Sequence, residues 1–389
     1  MSPKELVHAA MTQSRPPAIP VMCQLANGHI VINTQTHPID YHMDDEIWAN
    51  ALLQIRELYD FDGILCHKPG RDHGILDMAE KIDRDADIPT IYLNDGSRIE
   101  CTRDDDIYYK KNDDFKHPTL NDIDVDKPLD WAPESYKAFQ RAKATFDYNT
   151  PEEIPESVFG TIDRVIAAVG DTHSVHGEVR APFDHFMNML GMEDGLMALL
   201  DNPEKAQALL QRMTKWSVAL AVALTRRGAH AVKISSPFAG MGFLSTDMYS
   251  EFILPCERQI AEAVTAEGGF TYTHTCGAIG DRLDLIADCK VNGIECLDPP
   301  PLGNVDLKEA VDLLKGKLFL KGNVDPVNTL LRGDLDQVHN DISEILNTAG
   351  HNMDGFILSS ACSVAPPVAP ENVKRMVQTC REFTPEYAN

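Results

Sequence analysis

Basic residues are scarce in this chain. Its 389 residues carry 35 Lys and Arg against 60 Asp and Glu, a formal net charge of −25. Nucleic-acid phosphates and anionic membrane surfaces attract basic faces, so the balance speaks against both as partners. Keeping an abundant protein soluble is the plainer reading of the excess acid. Long apolar runs are also missing. The longest, Trp216 to Leu224, sits between Lys215 and Arg226-Arg227; a membrane span needs roughly 18 apolar residues. The start, Met1 to Arg15, is polar and lacks the apolar stretch of a signal peptide. No Gly-x-Gly-x-x-Gly follows a strand and no Gly-Lys-Ser/Thr loop occurs, so neither a dinucleotide nor an ATP site is indicated. There is no Cys-x-x-Cys pair, and the nine cysteines are an odd number without regular spacing. They read as reduced thiols of a cytoplasmic protein, not as a disulfide framework.

What the chain does have, from about Ser157 onward, is alternation of short apolar strands with amphipathic helices. Strands are expected at Val175–Val179, Ala231–Ile234, Gly269–Thr273, Gly293–Leu297, Phe319–Lys321 and Gly355–Leu358. Between them lie helices such as the one opened by Asn202-Pro203-Glu204 and stopped at Gly228, with Asn202 as N-cap and Pro203 at the first helical position. Repeated strand–helix units with short loops imply a parallel sheet, and their number suits a closed α/β barrel of the TIM type, (β/α)8. In the front part, Ala18–Leu25 and Gly63–His67 read as further strands around a helix near Glu46–Tyr59. Ile91–Leu93 and Arg98–Cys101 flank Asn94-Asp95-Gly96, a hairpin signal. The whole chain, 1–389, is therefore expected to be one barrel domain, with residues 83–130 an insertion in its N-terminal half. The acidic runs Asp104-Asp105-Asp106 and Asp113-Asp114 within it read as solvated loop.

In a parallel barrel, chemistry gathers at the C-terminal ends of the strands. His274-Thr275-Cys276 follows one strand and Cys362 another, far downstream. An imidazole and two thiols are ligands that zinc prefers, and three protein ligands leave the open position of a catalytic site. The competing reading is a buried histidine and two unrelated core thiols, since free Cys is commonly buried. Glu295 lies inside a buried strand, where a lone carboxylate is costly. It is either a fourth zinc ligand that substrate displaces or the partner of a Lys or Arg. Its neighbour Cys296 should point to the opposite face by strand alternation and pack there. Arg180, Asp298 and Asn323 end strands and are candidate substrate-binding residues. Each has a structural alternative, Arg180 a salt bridge and the others helix caps. Asp62 and His67, which bracket the strand at Gly63, are equally open.

Gly228-Ala229-His230-Ala231-Val232-Lys233-Ile234, Leu254-Pro255, His274-Thr275-Cys276-Gly277 and the run Cys362-Ser363-Val364-Ala365-Pro366-Pro367-Val368-Ala369-Pro370-Glu371-Asn372-Val373 resemble landmarks of the uroporphyrinogen decarboxylase superfamily. Within it, the chain is similar to the zinc- and corrinoid-dependent methyltransferases. The resemblance covers the last half to three fifths of the chain well and the front weakly. It implies a (β/α)8 barrel whose mouth holds zinc through His274, Cys276 and Cys362, working against the cobalt of a corrinoid (a cobalamin) carried on a separate protein. In the decarboxylases a His takes the place of Cys362. Pro20 to Gly28 looks like a relic of the loop whose two arginines bind porphyrin propionates, but Cys23 and Asn27 stand near their places. Those departures speak against porphyrinogen decarboxylation and leave Asn27 as a substrate-binding candidate. The resemblance implies methyl transfer between a small molecule and cobalt. A methoxylated aromatic, undergoing O-demethylation, is the first choice of substrate. Gly70-Arg71-Asp72-His73 and the Asn94-Asp95-Gly96 turn are similar to features of relatives that act on such molecules. Transfer to or from a thiol is the alternative, and a zinc-free binding or scaffold protein on the same barrel is the rival from another class.

Overall fold

The computed structural model of the chain describes residues 1–71, 74–112, 115–141 and 148–387. Asp72, His73, Asp113 and Asp114 lie outside them. Strands run β1 Gly63–Cys66, β2 Ala79–Asp83, β3 Thr90–Leu93, β4 Arg98–Cys101, β5 Ile107–Lys110, β6 Ser174–Arg180, β7 Ala231–Ser235, β8 Phe270–His274, β9 Gly293–Cys296, β10 Phe319–Val324 and β11 Phe356–Ser360. Seven of them form one curled parallel sheet in the order β1-β6-β7-β8-β9-β10-β11. Apart from the first pair, the order follows the chain, as right-handed strand–helix crossovers require.

The sheet accounts for an α/β fold of TIM-barrel type, but the eighth strand expected at Ala18–Leu25 is not a regular one. Val21 and Leu25 make only isolated parallel bridges, to Leu358 and Val364. Pro20 has no N–H to give to a ladder; its carbonyl accepts from Leu358 N at 2.9 Å. On the other side, the carbonyl of Val21 accepts from Asp62 N at 2.9 Å. Asp62 answers the question left open for it: its carboxylate accepts from Val21 N at 2.7 Å and from Arg381 at 2.8 Å, a structural clasp.

The helices form where capping chemistry predicts. Pro203–Arg226 starts with the Asn202 side chain accepting from Lys205 N at 3.1 Å, and Gly228 supplies the left-handed residue (φ 98°) that turns the chain into β7. Its buried face, including Leu209, Leu210, Met213, Trp216 and Leu220, joins the main core.

Residues 79–110 form a separate four-stranded antiparallel sheet, β2-β3-β4-β5. The hairpin expected at Asn94-Asp95-Gly96 is there, with Gly96 at φ 81°. Its flanking strands β2 and β5 were not expected, because Glu80, Lys81 and Tyr108 face solvent and break the apolar alternation. This sheet has its own small core of Ile91, Leu93, Ile99, Cys101 and Ile107. Among the described residues no helix is long and apolar enough to cross a membrane.

Candidate metal centre

Strand β8 ends on His274, and its last residue is buried at the C-terminal end of the sheet. The chain then turns through Thr275 and Cys276 toward the loop after β11, which carries Cys362. His274 Nε2 lies 3.3 Å from Cys276 Sγ, and Cys276 Sγ lies 3.7 Å from Cys362 Sγ. The three donor atoms all fall within 4.8 Å of one another. Ligands of a tetrahedral zinc, with bonds of about 2.0–2.3 Å, sit roughly 3–4 Å apart, so this donor set fits that ion in chemistry and spacing.

The charge states suit a metal. Hydrogen bonds from the thiols of Cys276 and Cys296, and then from His274, hold the Cys362 thiol far below the ordinary thiol range, overcoming burial. His274 Nδ1 faces Glu295 Oε2 at 2.8 Å, which leaves Nε2 for the metal side. This is the carboxylate–histidine arrangement that orients a metal-binding imidazole.

Glu295 does not stand among the grouped donors; of the two roles open to it, fourth ligand or partner of a Lys or Arg, the geometry has the second. One oxygen takes the ammonium of Lys321; the other takes His274 and, at 3.4 Å, Lys233. Burial alone would raise its pKa, but Lys321, Lys233 and His274 together hold it well below the carboxylate range. Lys233 is fully buried and also meets Glu178 Oε2 at 3.0 Å and the amide oxygen of Gln24. Gln24 in turn donates to Ser363 Oγ at 2.6 Å, next to Cys362. The level beneath the thiols is thus an alternating set of ions from β6, β7, β9 and β10, each compensating the next.

Cys296 departs from its expected place on the far face. Its φ of 90° breaks the alternation of β9, and its buried thiol is pushed up in pKa by burial and by the neighbouring thiols of Cys276 and Cys362. Such a backbone angle is rare outside glycine and concentrates at functional sites.

A cavity opens over the donors, lined by Gln24, Asn27, His67, Lys68, Asp105, Asp106, Glu178, Ser235 and Ser363 together with His274, Cys276 and Cys362. Asn27, a candidate substrate-binding residue, lines it. Arg180 lines an adjoining lobe with His67, Glu178 and Ser235, and its Nε is paired with Asp184 at 2.6 Å. Asp298 and Asn323 are not among the described cavity residues. Asp298 accepts from Gly277 N at 2.7 Å and so braces the metal loop; Asn323 donates to Leu297 O at 3.2 Å. Sequence reasoning passed over Lys233, Lys321 and Glu178, and read the Asp105-Asp106 pair as solvated loop. The first two had a readable signal, a lysine inside an otherwise apolar buried strand, the same cost that drew attention to Glu295.

Comparison with known proteins shows the family and fold that carry this site. The family model described as uroporphyrinogen decarboxylase (URO-D) matches residues 124–383. The chain is 25% identical over 266 residues to a methylated-thiol–coenzyme M methyltransferase of Methanosarcina mazei, covering 67% of each chain. It is 26% identical over 185 residues to a methylcobamide:CoM methyltransferase of Methanosarcina acetivorans, covering 48% of this chain and 51% of that one. A uroporphyrinogen decarboxylase of Pelodictyon phaeoclathratiforme is 28% identical over 188 residues, with 48% and 51% covered. The chain therefore spans about half to two thirds of the length of these curated relatives. A solved methyltransferase from Methanosarcina mazei superposes with a TM-score of 0.73 at 18% identity, over 98% of this chain and 99% of that one, a likeness of fold.

Proposed function

The chain belongs to the uroporphyrinogen decarboxylase (URO-D) family, and from that premise we propose that it is a zinc-dependent enzyme moving a methyl group between a small thiol and the cobalt of a corrinoid protein. The observation that carries the reading is the His274, Cys276, Cys362 donor set at the floor of a cavity. A zinc ion there supplies a Lewis acid that keeps a substrate sulfur in its thiolate form, the nucleophile toward a methyl group on cobalt. The chain's own part is to hold that centre still. Glu295 fixes the tautomer of His274, Lys233 and Lys321 fix Glu295, and Gln24 ties this ionic level to the Cys362 loop through Ser363. Asn27 and Arg180 flank the space in which the rest of the substrate lies.

The thiol is preferred to the methoxylated aromatic as substrate. Among the described residues no Phe, Tyr or Trp lines the cavity, where an aromatic ring would find a stacking surface useful. The names of two relatives also specify thiols or coenzyme M. In the same reading the chain is one domain with residues 83–130 as its insertion, and Pro20–Leu25 is the eighth stave of the barrel. The partner is a corrinoid-carrying protein, and the setting is the cytoplasm.

The test mixes zinc-loaded protein, a methylated corrinoid protein and a panel of thiols, with aryl methyl ethers and Co(I) corrinoid run in parallel. The cobalt absorption is followed. Demethylation of cobalt by thiols, stopped by a zinc chelator, is expected. Reaction of aryl methyl ethers alone restores the aromatic substrate, and transfer that persists in metal-free protein removes the role given to zinc.

A further inference from the structure

Resting on the reading of the site as a thiol-binding zinc centre, we propose that Asp105 and Asp106 set its substrate charge: the thiol carries a cationic or hydrogen-bond-donating tail, and anionic tails are rejected. These residues come from outside the family-matched segment, on the β4–β5 turn of the inserted sheet, and yet they line the metal cavity.

Their position is built. Asp106 Oδ1 accepts from Asn27 Nδ2 at 2.8 Å, and Asn27 Oδ1 accepts from the buried Tyr41 hydroxyl at 2.9 Å. The amide is thereby held with its donor toward the carboxylate. The turn's backbone rests directly on the start of the helix Asn27–Thr34. A Cβ on Gly28 would stand 2.6 Å from the carbonyl carbon of Asp104 and 2.7 Å from Asp105 N. Only glycine allows that approach. Asp105 is oriented by Tyr108, whose hydroxyl donates to it at 2.6 Å.

The charges of the cavity point one way. Asp105 and Asp106 present carboxylates, while the third, Glu178, is already paired with Lys233 at 3.0 Å and His67 at 3.1 Å. Among the described lining residues the lysine is Lys68, which is buried and lies 5.7 Å from the Trp48 ring centre. Arg180, in the side lobe, is already paired with Asp184. A divalent ion with two cysteine thiolates and a substrate thiolate has a net charge of −1, so the centre itself also repels a second anion. A sulfonate or carboxylate tail meets like charge on both sides, whereas an ammonium completes the balance.

Three short thiols that differ mainly in the tail separate the outcomes: 2-aminoethanethiol, 2-mercaptoethanol and 2-mercaptoethanesulfonate. Each is titrated into the Co(II)-loaded protein at low salt, the increase in thiolate-to-cobalt absorption above that of the protein's own cysteines is read, and affinities are compared at equal thiolate concentration. The aminothiol should bind tightest and the sulfonate weakest, with on the order of tenfold between steps. Asp105→Asn, on the exposed residue that takes no part in the Asn27 contact, should narrow the spread, and Asp105→Asn with Asp106→Asn should nearly close it. A sulfonate that binds as well as the aminothiol, or an order unchanged in both variants, overturns the proposal. No increase in the band with any of the three thiols overturns the thiol reading, and the proposal with it.

Discussion

Cys362 is the residue on which the metal assignment turns. It is half-buried, its thiol sits 3.7 Å from that of Cys276, and it lies 86 positions away from it in the chain. Cys362→Ser exchanges a soft ligand for a poor one at nearly constant volume. Metal analysis should show most of the zinc gone while circular dichroism and the thermal midpoint stay close to wild type. Full zinc occupancy in that variant would remove Cys362 from the ligand set. Glu295 acts one step further out. Glu295→Gln keeps the shape but replaces the carboxylate that pairs with Lys321, Lys233 and His274. Loss of such a partner typically weakens metal binding about 10–100-fold. Competition against a chromophoric chelator measures this, and an unchanged affinity would show that His274 needs no help from Glu295.

Elements carry two further expectations. The helix Leu254–Ala266 buries Glu257 completely, beside Ser236, Thr273 and Tyr249. Burial pushes its pKa up from 4.5 to about 7, and neither carboxylate oxygen has a hydrogen-bond partner among the described residues to offset it. The folded state thus binds a proton that the unfolded state releases. Its contribution to stability is full below pH 4.5 and is lost as pH rises through about 7. Across that window the loss is of the order of 3 kcal/mol. Glu257→Gln should flatten the fall of the thermal midpoint between pH 5 and pH 8; a slope equal to wild type would mean that the carboxyl is compensated in another way. The long helix Pro203–Arg226 depends on its cap. Asn202→Ala removes the acceptor for Lys205 N and should cost about 1 kcal/mol in denaturant unfolding, with the zinc content unchanged.

At the scale of the molecule, the family fold is kept, and the cavity is expected not to take a porphyrinogen. Near the places where a decarboxylase would hold two arginines, this chain has a buried Cys23 and an Asn27 committed to Asp106 and Tyr41. A substrate with eight acidic side chains meets a cavity of carboxylates on a protein of net charge −25. Anaerobic assay with uroporphyrinogen should give no coproporphyrinogen, and detectable conversion would refute this.

The parallel sheet, most helix limits and the three clustered donors were legible in the chain because they depend on local pattern. Apolar strands of period two, Asn202 and Gly228 as helix punctuation, and His-x-Cys at a strand end are statements about neighbours in sequence. Four things were decided only by tertiary contact. Glu295 became the partner of two lysines because strand register, not strand composition, sets Lys321 and His274 opposite it. Cys296 turned inward because its backbone adopts φ 90°, an angle imposed by the packed surroundings. The Val21 segment stopped short of a regular strand where Pro20 cannot donate. Asp105 and Asp106, which read as solvated loop, reached the cavity because the inserted sheet folds back onto Gly28. Pairing across the fold is fixed by close packing between segments distant in sequence, and no local period encodes it.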